Sequence, residues 1–113
     1  MTKSNENVGI QFIKGENEKQ HPEIRLFRSQ DGNKGQAIYK FDNPKTITIE
    51  NFKSIKKMHL IDEEGVLSTK KIDLSISGNR VLQVNSTYNW GSEKEFERFM
   101  RFASRHAKVL ASN

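Results

Sequence analysis

The residue types that most often carry chemistry are few in this chain and scattered along it. The sequence has no cysteine, and its three histidines, His21, His59 and His106, fall on three different predicted elements. A zinc site needs three or four convergent ligands, so we interpret these histidines as solvated side chains. Because cysteine is absent, disulfides, thiolate metal sites and cysteine nucleophiles are excluded.

Two further patterns resemble sites but fit ordinary turns better. The run Asp62-Glu63-Glu64 lacks the spaced oxygen ligands of a calcium loop. Gly32 and Gly35 lie between two predicted antiparallel strands, without the strand-to-helix passage of a phosphate-binding loop. Nothing places two carboxylates in one apolar pocket, and no Gly-x-Ser-x-Gly elbow is present. The sequence therefore predicts no enzyme, no cofactor and no metal.

Charge is the composition's main signal about partners. The chain has 113 residues, a formal net charge of +5 and a pI of about 9.6, which favour an acidic partner. Its length predicts a single domain over residues 1–113, with residues 1–7 as a frayed tail. No targeting segment is visible, and no stretch approaches the ~20 apolar residues of a membrane span. We therefore expect membrane contact to be peripheral.

The C-terminal region predicts one amphipathic helix. Ser92 and Glu95 form a capping box at its start. An apolar stripe follows at helical spacing, comprising Phe96, Phe99, Met100, Ala103, Ala107 and Leu110. A basic stripe is predicted on the opposite, exposed side, comprising Lys94, Arg98, Arg101, Arg105 and Lys108. Phe102 lies beside the apolar stripe, as either the edge of the core or an exposed anchor.

The rest of the chain predicts strands, and its centre is a hairpin between His21 and Pro44. Residues alternate in hydrophobicity on both arms, and Asp31-Gly32 with Gly35 predicts a turn with positive φ angles. Further strands are expected near residues 8–14, 55–62, 71–77 and 80–88, while 45–52 fits an edge strand or a loop. The predicted fold is α+β: an antiparallel sheet of about four or five strands covered by the C-terminal helix.

The basic stripe admits two functional interpretations besides a simple solubility face. It could dock on an acidic protein surface or on anionic lipid headgroups. Alternatively, the chain is a small basic nucleic-acid-binding module whose sheet stacks bases on Tyr39, Phe27 or Tyr88. Acidic residues interrupt the positive field and no aromatic motif of the common RNA modules is present, so no nucleic acid is expected as a partner.

Three blocks of the sequence carry a resemblance to a known family. RLFRSQDGNKGQAIYKFDNP, MHLIDEEG and EFERFMRFASRHA occur in order, and they resemble the signature blocks of the Psb28 family of photosystem II proteins. The opening GIQFIKG is also similar. The resemblance extends from about Gly9 to about Ala107 and is weakest at residues 45–57 and 71–86.

This resemblance implies an extrinsic, cofactor-free protein on the cytoplasmic (stromal) side of the thylakoid membrane. It implies binding to photosystem II assembly intermediates, near the inner chlorophyll-binding antenna protein and the acceptor side of the reaction centre. We therefore predict binding alone, through a free sheet edge or through basic side chains. The predicted partner-binding residues are Arg25, Arg28, Arg98, Arg101, Phe102 and Arg105.

Overall fold

The computed structural model describes residues 8–112, and most of this range lies in eight strands and one α-helix. In chain order these are β1 (Gly9–Ile13), β2 (Glu16–Asn17), β3 (Glu23–Arg28), β4 (Gly35–Asp42), β5 (Met58–Asp62), β6 (Gly65–Thr69), β7 (Ile72–Ser77), β8 (Arg80–Trp90) and α1 (Glu93–Ala111). A 3-10 turn, Phe52–Ser54, precedes β5. The predicted tail at residues 1–7 lies outside the described residues.

The strands of residues 8–112 form two four-stranded antiparallel sheets. The first sheet has the order β2-β1-β5-β6 and the second has the order β3-β4-β8-β7. With the C-terminal helix, this arrangement confirms the predicted α+β class. It differs in that the strands divide between two sheets, where we predicted one. Periodicity identifies a strand and its two faces but does not identify its neighbours, which is why the division was not visible in the sequence.

The segment between β4 and β5 is a connection between the two sheets rather than an edge strand. Asn51 and Thr48 bond to each other through backbone and side-chain groups, which favours a turn over an extended strand. The Glu18 carboxylate accepts hydrogen bonds from the backbone N–H groups of Lys45 and Thr46 and from the Thr46 hydroxyl. The connection is thereby tied to the chain that follows β2.

The core contains inward-facing residues from both sheets and the helix, and it is rich in aromatic rings. Ile10 and Phe12 on β1, Tyr39 and Phe41 on β4, and the helix residues pack in one buried cluster. Phe12 meets Phe41 edge to face with ring centroids 5.4 Å apart. Tyr39, which we considered as an exposed stacking platform for bases, is buried at the centre of this cluster.

The two glycines of the central hairpin have different roles. Gly32 has φ +79°, as the turn prediction requires. Gly35 does not have a positive φ, so that part of the prediction was wrong. A Cβ at Gly35 would clash with the Phe27 carbonyl oxygen and would lie 2.5 Å from the Trp90 ring. Gly35 is therefore needed for the close approach of β3 and Trp90 to the start of β4.

The helix begins as predicted but is rotated relative to the predicted stripe. The Ser92 hydroxyl accepts the Glu95 N–H, and the Glu95 carboxylate reaches back to the Gly91 N–H. The buried helix residues are Phe99, Phe102 and His106, whereas Ala107 is exposed. The helix packs against both β5 and β8. Its buried side therefore faces the space between these two strands.

Candidate partner-binding surfaces

The turn between β5 and β6 lies against the predicted basic face of the helix. Asp62 ends β5, and Glu63 and Glu64 form the turn. Arginines spaced three and four residues apart on α1 project to the same side of the helix. Together these residues form what we call the arginine–carboxylate cluster, which consists of Asp62, Glu63, Glu64, Arg98, Arg101 and Arg105.

Asp62 is the buried centre of this cluster. Its side chain is 0% exposed, and it accepts two hydrogen bonds from Arg98, at 2.7 Å from Nη2 and 2.9 Å from Nη1. Arg105 donates a third at 2.8 Å. A carboxylate removed from water is stabilised only if its charge is matched and its lone pairs are filled. Both conditions are met here by the two arginines.

Glu64 forms the outer part of the cluster. Arg101 binds its carboxylate through two nitrogens, at 2.7 Å and 2.9 Å, and Arg105 donates to it at 2.7 Å. The Arg105 guanidinium therefore bridges Asp62 and Glu64. This geometry, with planar guanidinium groups facing carboxylates, is the strongest form of protein ion pair.

The electrostatics of both carboxylates follow from these contacts. Burial of Asp62 acts to raise its pKa, but the hydrogen bonds from Arg98 and Arg105 outweigh burial and hold the pKa below its usual value. Hydrogen bonds from Arg101 and Arg105 lower the pKa of Glu64 to about 2. Both groups are therefore charged at neutral pH, and the cluster contains three positive and three negative charges.

The prediction that the helix arginines are exposed was therefore wrong for Arg98 and Arg105. The side chains of Arg98 and Arg105 are only 18% and 26% exposed, and Arg101 is 51% exposed but engaged with Glu64. The sequence did contain a signal: a run of three acids in a tight turn and three arginines on one side of a helix. We interpreted each half separately, as a solvated turn and a solvated face.

Phe102 and His106 lie in the core beside the cluster. Phe102 is 0% exposed and contacts the Phe99 ring, so the structure places it in the core and not as an exposed anchor. His106 stacks on Phe102 with ring centroids 5.3 Å apart and is 5% exposed. The prediction of three solvated histidines was therefore wrong for His106.

We expect the stability of the protein to fall in mild acid because of His106. Burial lowers the pKa of His106 to about 4, and the nearby charge of His21 contributes to the same shift. As the pH falls from about 6.5 to about 4, the unfolded chain binds a proton that the folded chain excludes. The contribution of His106 to the free energy of unfolding is fully present above about pH 6.5. It falls by about 3 kcal/mol as the pH drops from about 6.5 to about 4.

Urea unfolding across this pH range would measure the effect. His106→Gln should flatten the dependence of the free energy of unfolding on pH between 6.5 and 4, whatever its effect at neutral pH. His59→Gln, at a half-buried position on β5, is the matched control and should keep the slope. An unchanged slope in His106→Gln would refute the assignment.

The two predicted arginines of the hairpin lie on opposite faces of β3. Arg25 is exposed beside Glu23, at 3.1 Å, and lines a groove of about 300 Å³ on the outer face of the second sheet. Arg28 stacks on the Phe96 ring at 3.8 Å and bonds to Glu93 at 3.1 Å. Arg28 thus connects the hairpin to the start of the helix, while Arg25 remains accessible.

Strand β3 is an edge strand whose six residues are all exposed. Ile24, Leu26 and Phe27 are 39%, 47% and 50% exposed. Ile24 and Leu26 lie opposite Tyr39 and Ala37, on the core side of the sheet, yet no further strand covers them. The sequence suggested a free edge but could not identify which strand provides it.

No catalytic or metal site is evident within residues 8–112. No group of three His, Cys, Asp or Glu residues in this range is placed to hold a metal ion. The buried Tyr39 hydroxyl and Trp90 indole N–H have no hydrogen-bond partner in the described part of the chain, but both lie within the aromatic core. Among the described residues, no helix is both long and apolar enough to cross a membrane.

Comparison with known sequences identifies the family. Residues 10–110 match the family model described as Psb28 protein. The chain belongs to the Psb28 family. The match covers both sheets from within β1 onwards and nearly all of α1, so the Psb28 match includes the arginine–carboxylate cluster and the β3 edge.

Individual Psb28 relatives agree with the family match. A photosystem II reaction center Psb28 protein of Prochlorococcus marinus strain NATL2A is 71% identical over 113 residues, covering 100% of both chains. The protein of the same name from strain NATL1A is 67% identical over 113 residues, again covering 100% of both. The one from Synechococcus sp. strain CC9311 is 43% identical over 98 residues, covering 87% of this chain and 77% of the relative.

Proposed function

We propose that this Psb28-family chain is a non-catalytic accessory protein of photosystem II. It binds assembly intermediates of the photosystem at the cytoplasmic side of the thylakoid membrane and assists their assembly and repair. Family membership and the relatives named as photosystem II reaction center proteins support the association with photosystem II. The single structural observation that supports binding is the uncovered β3 edge.

The β3 edge offers a partner backbone as well as side-chain contacts. The Ser29 N–H donates a hydrogen bond to the Lys34 carbonyl at the end of the hairpin. Counting back from Ser29 in steps of two, the N–H and C=O groups of every second residue of β3 point toward β4. By this alternation, the N–H and C=O groups of Ile24, Leu26 and Arg28 point to the free side. An extended partner segment could pair with these groups as an added strand.

Side chains beside the edge would fix the partner's register and orientation. Ile24 and Leu26 provide exposed apolar surface on one face of the edge, and Arg25 provides a positive charge on the other. The partners proposed for this edge are cytoplasmic segments of the inner chlorophyll-binding antenna protein and of the acceptor side of the reaction centre. Arg98, Arg101 and Arg105 have a supporting role, because they hold the helix in place.

The test is co-purification with photosystem II subunits from solubilised thylakoid membranes. Ile24→Lys with Leu26→Lys should keep the fold, since exposed substitutions usually change stability by about 0.5 kcal/mol or less each, but should abolish co-purification, because edge lysines oppose strand addition. Ile76→Lys with Leu82→Lys is the matched control, because these residues are 40% and 38% exposed at the other side of the same sheet.

The outcomes distinguish the surface from the function. Loss of the photosystem subunits with the β3 pair, and their retention with the control pair, would support the edge. A folded β3 double variant that co-purifies like the wild type would remove this edge from the binding site. A wild-type chain that brings down no photosystem II subunit would contradict the proposed function itself.

The nucleic-acid alternative is not favoured by the structure. Of its three proposed stacking residues, Tyr39 is buried, and Tyr88 is half-buried with its ring stacked on Phe99 at 5.6 Å. Of the three, Phe27 alone is fully exposed, and a single open ring is a poor platform for successive bases. We expect no submicromolar binding to single-stranded RNA at physiological salt.

A further inference from the structure

The three arginines of the predicted basic stripe do not supply the excess positive charge of the protein. The arginine–carboxylate cluster contains equal numbers of cations and anions, so it contributes nothing to the net charge of +5. The excess charge must therefore lie elsewhere on the chain. The far end of the same β5–β6 hairpin carries a concentration of lysines.

Four lysines flank one cross-strand pair at this end. Met58 starts β5 and lies directly opposite Thr69, the last residue of β6. Adjacent strands lie about 4.8 Å apart, so residues just beyond this pair begin close together. The residues immediately before Met58 and immediately after Thr69 form what we call the lysine cluster, which consists of Lys56, Lys57, Lys70 and Lys71.

These four lysines are exposed and form no ion pair within 4.0 Å among the described residues. Like charges held together repel one another, and a negatively charged partner would relieve that repulsion.

The backbone at the Lys70 and Lys71 side of the lysine cluster is fixed by hydrogen bonds. The Lys71 carbonyl accepts the Thr87 N–H at 3.1 Å and the Ser86 hydroxyl at 2.9 Å. The Thr69 hydroxyl donates to the Thr87 carbonyl at 2.7 Å and accepts the Lys71 N–H at 3.1 Å. The crossing from β6 to β7 is thus pinned to β8. Binding through Lys70 and Lys71 would therefore require little ordering of the backbone.

We propose that the lysine cluster is a docking surface for an anionic lipid bilayer. The cations are all lysines, which are compact, strongly hydrated charges on flexible stems, and not the planar guanidinium forks that recognise carboxylates in pairs. Several such charges suit a diffuse layer of headgroups, where each lysine near the surface strengthens binding by about fivefold. That a membrane is available rests on the proposed function, which places the chain at the thylakoid membrane. The lysine cluster is the surface that would face this membrane.

Co-sedimentation of the purified chain with lipid vesicles tests this directly. The vesicles are phosphatidylcholine with a minor fraction of phosphatidylglycerol, and pure phosphatidylcholine gives the uncharged reference. We expect binding to the anionic vesicles only, weakened by added salt. Replacing Lys56, Lys57, Lys70 and Lys71 with glutamine should lower the partition coefficient by on the order of several hundred-fold.

A matched control removes the same charge from other exposed positions. Glutamine at Lys14, Lys19, Lys34 and Lys45 changes the net charge equally and should reduce binding far less. Thermal melting checks that both variants are folded. Equal losses in the two variants, or vesicle binding unchanged by loss of the lysine cluster, would overturn the proposal. So would a wild-type chain that binds no anionic vesicle but binds single-stranded RNA or an acidic peptide.

This experiment contains no photosystem subunit, so its result is separable from the co-purification test. Vesicle binding without co-purification would retain the lysine cluster and contradict the proposed function. Co-purification without vesicle binding would support the proposed function and overturn the lysine-cluster proposal.

Discussion

Replacing Arg98, Arg101 and Arg105 with glutamate is expected to unfold the protein or to leave it barely stable. The buried Asp62 carboxylate would lose its arginine partners and face new negative charges. Removing a partner from a buried ion pair typically costs about 3–5 kcal/mol, and whole domains are stable by only about 5–15 kcal/mol. Thermal melting should show the midpoint lowered by roughly 15 °C or more.

A charge-matched control separates this effect from a general change in net charge. Lys94→Glu, Lys108→Glu and Lys14→Glu reverse three exposed cations, two of them on the same helix. This variant should melt within a few degrees of the wild type, since surface substitutions usually change stability by about 0.5 kcal/mol or less each. Similar melting temperatures for the two triple variants would indicate that the cluster does not hold the helix.

Truncation of Phe99 is expected to be nearly as damaging, for a different reason. Phe99 is 0% exposed, and its ring lies 5.3 Å from the Trp90 ring and 5.6 Å from the Tyr88 ring. Phe99→Ala would leave a cavity among aromatic neighbours that relax only partly. The expected loss in the free energy of unfolding is about 3–5 kcal/mol, measured by urea denaturation.

Phe27→Ala is the control for this substitution. Phe27 is the same residue type but is half exposed on the edge strand. Its truncation should change the free energy of unfolding by about 0.5 kcal/mol or less. A comparable loss at both positions would mean that the helix does not seal the core through Phe99.

The sequence correctly predicted those features that depend on residues close together in the chain. The Ser92 and Glu95 capping pair marks the start of the helix, and Asp31-Gly32 marks the central turn, because both depend on residues a few positions apart. Alternation along β4 correctly placed Ala37, Tyr39 and Phe41 on one face.

Long-range relations were the part that could not be predicted. Ile24 and Leu26 lie opposite Ala37 and Tyr39 on the same face, yet they stay exposed because β3 ends its sheet. Neighbouring residues do not encode a strand's place in the sheet order. Likewise, the arginines of α1 meet Asp62 and Glu64 across more than thirty residues. A helical pattern alone cannot distinguish a solvated cation from a paired one.

The position of Trp90 gives the chain a built-in optical reporter. It is the sole tryptophan, it is 3% exposed, and its ring is tilted against Phe96 and stacked on Phe99 where β8 passes into the helix. Indole emission shifts to longer wavelength when water reaches the ring. Intrinsic fluorescence would therefore register separation of the helix from the sheet without any attached dye, even while the strands remain paired.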